Sequence, residues 1–259
     1  MKSKKDTDLE YYVVKSNELI RHSRYSLTVQ QQRIVLYAIS KIRPEDSINT
    51  WYEFSIQDIC RACGIADDNG YYYTSIKEDL RKLMHREFGV LPDGAEASIS
   101  WIGDVKMYQD NGVVQICFNP NMQPFLFELK ERYTQYKLEN VLAFKNASTI
   151  RLYELLRSYV TQRMLENNIP TTKELTVEEL KKRLDMTGTY QEWCDFERYV
   201  IRKSVDEINK TNDEMHVTYE SKKLGRRVNS VIFTISAPSS KDMWDAYGER
   251  KKRLKQIGK

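Results

Sequence analysis

No stretch of this 259-residue chain approaches the roughly 20 consecutive apolar residues that a membrane helix needs, and Met1-Lys2-Ser3-Lys4-Lys5-Asp6 leads into no apolar signal region. The expected setting is the cytoplasm, with no membrane partner. Four cysteines, Cys60, Cys63, Cys117 and Cys194, are too few for a disulfide framework in a chain of this length and suit a reduced compartment. Histidine is scarcer still, and His22, His85 and His216 are scattered. A structural zinc site needs four ligands, yet Cys60-Arg61-Ala62-Cys63 has no second close pair to join it; at the end of a helix the two thiols share a face and help to pack it. No metal and no cofactor is expected. The G-x-x-x-x-G-K-[ST] phosphate loop is also missing, so ATP hydrolysis lacks its backbone cradle and its lysine, and no enzymatic activity is expected. Gly/Ser-rich and Pro-rich tracts are absent. A net charge of +4 is too mild to attract nucleic acid by itself, so any such attraction must come from local clusters of cations.

Those clusters are concentrated between Lys173 and Ser236. In Leu175-Thr176-Val177-Glu178-Glu179-Leu180, Thr176 is placed to cap the orphan amides of a first helical turn, and Glu179, three residues on, answers as the partner in a capping box. Val177, Leu180 and Leu184 then share one face, while Lys181, Lys182 and Arg183 leave it. After the break at Gly188, apolar residues from Trp193 through Phe196, Val200, Val205 and Ile208 step by three and four, which predicts a second helix over 193–210 with Arg198 and Arg202 together on another face. Met215–Glu220 and Val228–Ile235 are β-rich runs, and Lys222, Lys223, Arg226 and Arg227 surround the turn glycine Gly225 between them. Capped helix, cationic helix and basic hairpin follow in the order of a winged helix-turn-helix, whose second helix enters a DNA groove while the hairpin grips the flanking backbone.

The same order occurs earlier in the chain. Phe54-Ser55-Ile56-Gln57-Asp58-Ile59 parallels 175–180 as apolar, cap, apolar, polar, acid, apolar. It precedes a helix expected over 74–88, with Ile76, Leu80, Leu83 and Met84 inward and Lys77, Arg81 and His85 outward, and then a hairpin, 99–108 with 113–118, across Asp110-Asn111-Gly112. The fold class is therefore α+β, two tandem winged-helix domains. Residues 1–10 are expected to be disordered, 11–120 to form the N-terminal domain, 121–238 the C-terminal domain and 239–259 a basic tail, with the boundary at Asn119-Pro120, where proline cannot continue a ladder. Helices are expected from Thr28 to the stop at Pro44, over 122–132 and over 148–165. Residues 250–259 hold six basic residues and no acidic one, and suit either a DNA-contacting tail or a solvated, frayed helix.

Three passages resemble the iteron-binding replication initiators of theta-replicating plasmids. They are Val14-Lys15-Ser16-Asn17-Glu18-Leu19 with Gln31, Arg33 and Ile34; Phe118-Asn119-Pro120 with Tyr133-Thr134-Gln135-Tyr136 and Arg151-Leu152-Tyr153-Glu154-Leu155-Leu156; and Phe196-Glu197-Arg198 through Asp206-Glu207-Ile208-Asn209 into Gly225-Arg226-Arg227-Val228. The resemblance implies a C-terminal winged helix that makes the main base contacts in double-stranded direct repeats at a plasmid origin, and an N-terminal one that contributes backbone contacts and dimerisation. It also implies a monomer-dimer equilibrium, autorepression by the dimer, origin opening, and recruitment of the host chromosomal initiator and the replicative helicase or its loader. The DNA-binding candidates are Arg198, Arg202, Lys203 and Lys210 on the second helix, Lys222, Lys223, Arg226 and Arg227 on the wing, Lys181 on the capped helix, and Lys77 and Arg81 in the first copy. Gln191 and Asp195 are further possible readers of bases. Rolling-circle initiators use two metal-binding histidines one residue apart, a pattern absent here, so nicking is not expected. A dimeric repressor and a winged-helix docking module are the alternative readings.

Overall fold

The computed structural model describes residues 12–63, 71–85, 87–90, 97–108 and 112–257. The expected disorder of 1–10 and the Asp110-Asn111 half of the first hairpin turn lie outside the described residues, whereas Gly112, in the left-handed region at φ +65°, is inside.

The N-terminal half runs β1 (Tyr12–Ser16), α1 (Asn17–His22), α2 (Val29–Ile39), β2 (Trp51–Ser55), α3 (Ile56–Cys63), α4 (Tyr71–His85), β3 (Glu87–Val90), β4 (Ala97–Ser100), β5 (Ile102–Tyr108) and β6 (Val113–Phe118). A short 3-10 turn and α5 (Gln123–Leu126) lead into β7 (Tyr133–Lys137), α6 (Leu138–Leu142), α7 (Ala147–Arg157) and α8 (Gln162–Glu166). The C-terminal half follows with β8 (Thr171–Thr176), α9 (Val177–Arg183), α10 (Trp193–Phe196), a π-helical turn over Glu197–Arg202, α11 (Lys203–Thr211), β9 (His216–Leu224), β10 (Arg227–Ser236) and α12 (Ser240–Ile257).

The two halves repeat one topology. One sheet has the order β2-β6-β5 and the other β8-β10-β9, all antiparallel, so in each the first strand lies beside the third. The caps match as well: Ser55 and Thr176 each end the first strand, opposite Val113 and Ser230, and their hydroxyls accept from the amides of Asp58 and Glu179 at 3.0 Å. The Glu179 carboxylate in turn accepts from the Thr176 amide at 2.9 Å, completing a capping box. Thr28 caps α2 in the same reciprocal way with Gln31.

Several expected elements end early. The helix expected to Phe88 stops at His85, because 87–90 pair with 97–100 as an added hairpin. That expected over 122–132 stops at Leu126, after which Glu128 and Arg132 take left-handed backbone, which no helix continues. The one expected over 148–165 breaks after Arg157, and Thr161 starts α8 by accepting from the Met164 amide at 3.2 Å. α2 ends at Ile39, ahead of Pro44.

A boundary at Asn119-Pro120 would separate β1 from β7, which pair from Tyr12↔Lys137 to Ser16↔Tyr133, and would part the edge-to-face rings of Phe118 and Phe127. The chain beyond residue 120 thus returns to the N-terminal half before entering the second copy. α7 serves both halves and is buried from Thr149 to Arg157, charged residues included. On it Glu154 pairs with Lys15 of β1 at 2.6 Å and accepts from the Tyr136 hydroxyl of β7. Arg151 donates to the Tyr25 hydroxyl at 2.7 Å, to the Ser23 carbonyl at 3.1 Å and to the Arg183 carbonyl at the end of α9 at 3.2 Å. Buried Arg33 of α2 likewise donates to the carbonyls of Cys63, Leu142 and Phe144 at 2.6, 2.7 and 2.9 Å. One continuous apolar core, from Val13 through Tyr153 to Ile235, joins the halves.

Candidate nucleic-acid interface

The second winged helix builds its exposed face from the core outward. Leu180 and Leu184 of the α9 segment are buried, as are Phe196, Val200, Ile201, Ser204, Val205 and Ile208 of the helix from α10 to α11. That burial directs Asp195, Arg198, Tyr199, Arg202, Lys203, Asp206 and Lys210 to solvent. The turn between the helices contains Asp185, Gly188 and Tyr190 at positive φ, which folds it back toward α9. Lys181 is drawn into this turn: its ammonium donates to the Tyr190 carbonyl at 2.7 Å and lies 5.3 Å from the Phe196 ring centre. It braces the turn rather than facing outward, whereas Lys182 is exposed.

The helix and the wing are tied at both ends. Asn209 donates to the Val217 carbonyl and accepts from the Val217 amide, both at 2.8 Å, and the Tyr219 hydroxyl of β9 donates to Glu197. At the hairpin tip Gly225 sits at φ +64°, and Lys223, Arg226 and Arg227 are exposed beside the protruding Leu224. Lys222, also exposed, pairs with Glu174 of β8 at 3.2 Å. A register shift between Val228 and Ser230 marks a bulge, which turns the tip relative to the sheet.

Among the other candidates, Arg198 lies over the ring of its neighbour Tyr199 at 5.3 Å, Lys203 is exposed, and Lys210 stands 3.9 Å from Glu249 of α12. Arg202 is held by Glu197, through Nε at 3.0 Å and Nη2 at 2.8 Å. In the first copy Arg81 is exposed on α4, while Lys77 is half-buried over the Tyr73 ring at 4.4 Å. Sequence periodicity passed over Tyr199, half exposed and stacked at 6.3 Å on Tyr190. Its adjacency to Arg198 was the available signal.

Residues 240–257 form a docked helix, α12, and not a frayed one, with Lys251, Lys252 and Lys255 left exposed on it. Arg250 is 1% exposed and pairs with Glu139 at 3.1 Å and with both carboxylate oxygens of Asp213, and Arg253 reaches Glu207 at 3.0 Å. Cys60 and Cys63 are buried in the core beside α2, and burial pushes the Cys63 thiol far above its ordinary value. Among the described residues no group of three metal-ligating side chains assembles, and no helix is long and apolar enough to cross a membrane.

Two winged helices in tandem, the second presenting a cationic helix braced against a cationic wing, define a DNA-binding initiator class. The chain belongs to the replication initiator family: residues 12–157 match "Initiator Replication protein, WH1" and residues 176–235 match "Initiator Rep protein, WH2". A replication initiation protein of Escherichia coli is 26% identical to it over 242 residues, which span 90% of this chain and 72% of that protein. The fold is similar to that of the Pi initiator protein, solved in complex with iteron DNA, at a TM-score of 0.71 and 18% identity, covering 90% of this chain and 100% of that one.

Proposed function

We propose that this protein initiates plasmid replication by binding direct repeats in double-stranded origin DNA, without enzymatic chemistry, and that it acts in the cytoplasm. The observation that carries this reading is the cationic face of 193–211 and its wing on a fold shared with an initiator solved on iteron DNA. In this reading the helix from Trp193 to Thr211 lies in a major groove, Arg198 and Arg202 reach base edges, and Lys203, Lys210, Lys222, Lys223, Arg226 and Arg227 hold phosphates. Arg81, with Lys77 behind it, serves the weaker backbone contact of the first copy. We place the domain boundary after α7, in keeping with family matches that end at 157 and resume at 176.

Opening of the origin, recruitment of the host initiator and helicase or its loader, and autorepression by a dimer complete the proposal by family resemblance. The test is a footprint of purified protein on DNA flanking its own gene over a range of salt. Protection repeating in one orientation at helical-turn intervals is the expected result. A single symmetric patch over the promoter points instead to a dimeric repressor, and absence of specific protection to a protein-docking role.

A further inference from the structure

One carboxylate sits among the cations of the helix proposed to read DNA, and it binds two groups at once. Glu197 takes both the Nε and the Nη2 of Arg202, at 3.0 and 2.8 Å, and also accepts from the Tyr219 hydroxyl of the wing. Its side chain is 15% exposed, whereas that of Arg202 is 58% exposed. In an α-helix residues five apart stand about 140° around the axis and cannot meet this way. The helix meets that geometry with a π turn spanning Glu197–Arg202, the two residues of the pair, and π turns are rare and recur at functional sites. Burial and the bond to Glu197 push the Tyr219 hydroxyl up to about 12.

We infer that Glu197 is a specificity-determining positioning residue: it clamps one edge of the Arg202 guanidinium, aims the remaining N–H donors outward, and cancels the charge that would otherwise seek any nearby phosphate. Arginine has five N–H donors in a rigid fork, so with one edge held the outer donors remain for a base. A free arginine on the same helix adds to non-specific binding by neutralising backbone charge. The clamp converts a general attraction into a directed contact.

This inference rests on the DNA-binding reading, and the test separates the two. Wild type, Glu197→Gln, Arg202→Ala, Arg202→Lys and the Glu197→Gln/Arg202→Ala double variant are compared on the footprinted duplex and on a scrambled duplex of the same composition, across salt. Glu197→Gln should bind the scrambled duplex more tightly, steepen its salt dependence by up to about 0.9 in slope, and lower the specific-to-scrambled ratio roughly 5- to 150-fold, the range of one good base contact. In the Arg202→Ala background the same change should leave that ratio unaltered, because the clamp has nothing to hold. Arg202→Lys, at an exposed position, should lose discrimination while keeping the salt slope, since lysine cannot fork. An unchanged ratio in Glu197→Gln and in Arg202→Lys, or an equal loss with and without Arg202, overturns the clamp. No preference of the wild type for its footprinted duplex overturns the DNA-reading role itself.

Discussion

The two winged helices share strand order, cap position and helix sequence, yet they differ where DNA would be met. The second hairpin carries Lys222, Lys223, Arg226 and Arg227 about its turn; the first reads Gln109-Asp110-Asn111-Gly112, with an acid and no cation. The long helix of the second copy exposes Arg198, Arg202, Lys203 and Lys210, whereas α4 exposes Arg81, Lys82 and His85, and Lys82 already stands 3.9 Å from Glu78. The first copy is in turn the more enclosed: it gains β1, β7 and the buried charges around Glu154. Topology here follows from caps and apolar periodicity, which the copies share. The proposed division of labour rests on a few surface charges, which they do not.

The largest expected effect tests the enclosed side of that contrast. Glu154→Gln removes the carboxylate that faces Lys15 at 2.6 Å and Arg151 at 3.6 Å, all three within 4% of full burial. Leaving two buried cations unpaired should cost about 3–5 kcal/mol in urea unfolding. The equivalent surface change, Glu174→Gln beside exposed Lys222, should cost no more than about 1 kcal/mol. Similar losses at both sites would mean that the buried network on α7 adds no more to stability than a surface pair.

The wing comes next. Neutralising Lys222, Lys223, Arg226 and Arg227 should flatten the dependence of log affinity on log salt by up to about 0.9 per lost phosphate contact. Charge removal at Lys106 of the first hairpin, whose ammonium lies over the Trp51 ring at 3.9 Å, should leave the slope nearly unchanged. Equal slopes from both variants would erase the distinction between the hairpins.

What was legible in the residues was what is local. Thr28, Ser55 and Thr176 announce their helices because a cap and its partner lie three residues apart, and the second wing announces itself because four cations crowd one glycine. What stayed hidden depends on distance or on burial of charge. β1 and β7 pair across more than a hundred residues of intervening chain, so nothing local to Asn119-Pro120 signals that the chain beyond it returns to β1. Lys15, Arg33, Arg151, Glu154 and Arg250 are of a residue type that sits mostly at the surface, yet each is buried with partners that lie far away in sequence. The passages that carry the family resemblance include Lys15, Tyr136, Arg151 and Glu154, so much of that signature is buried packing within the first half and not the surface proposed to meet DNA. The π turn escaped notice because its buried residues still step by three and four, and only the Glu197–Arg202 pair reveals the extra residue.

Within the proposed interface, Arg198→Ala should cost about 1–3 kcal/mol of specific binding if its side chain makes a good base contact, and should relax preference at one position of the repeat. Arg81→Ala should instead weaken specific and scrambled duplexes alike. A competition assay against single-base variants of the repeat distinguishes the two patterns, and the same pattern for both would make the copies equivalent readers.

The smallest difference lies in the caps. Thr176→Ala and Ser55→Ala should each cost about 1 kcal/mol, because each leaves a first-turn amide unsatisfied. The cap of the second copy also responds to acid. The Thr176 amide, and then its hydroxyl, hold the Glu179 carboxyl below its ordinary range, whereas Asp58 of the first copy turns its carboxylate to Arg61 at 3.0 Å. A carboxyl depressed in the folded state contributes stability that is complete above its unfolded value, about 4, and fades as pH falls through the folded value. The advantage of wild type over Glu179→Gln should therefore hold at neutral pH and shrink below about pH 4. Thermal melts of Ser55→Ala and Glu179→Gln along a pH series measure this, and a constant difference between Glu179→Gln and wild type down to the lowest pH would show that the Glu179 charge takes no part in the cap.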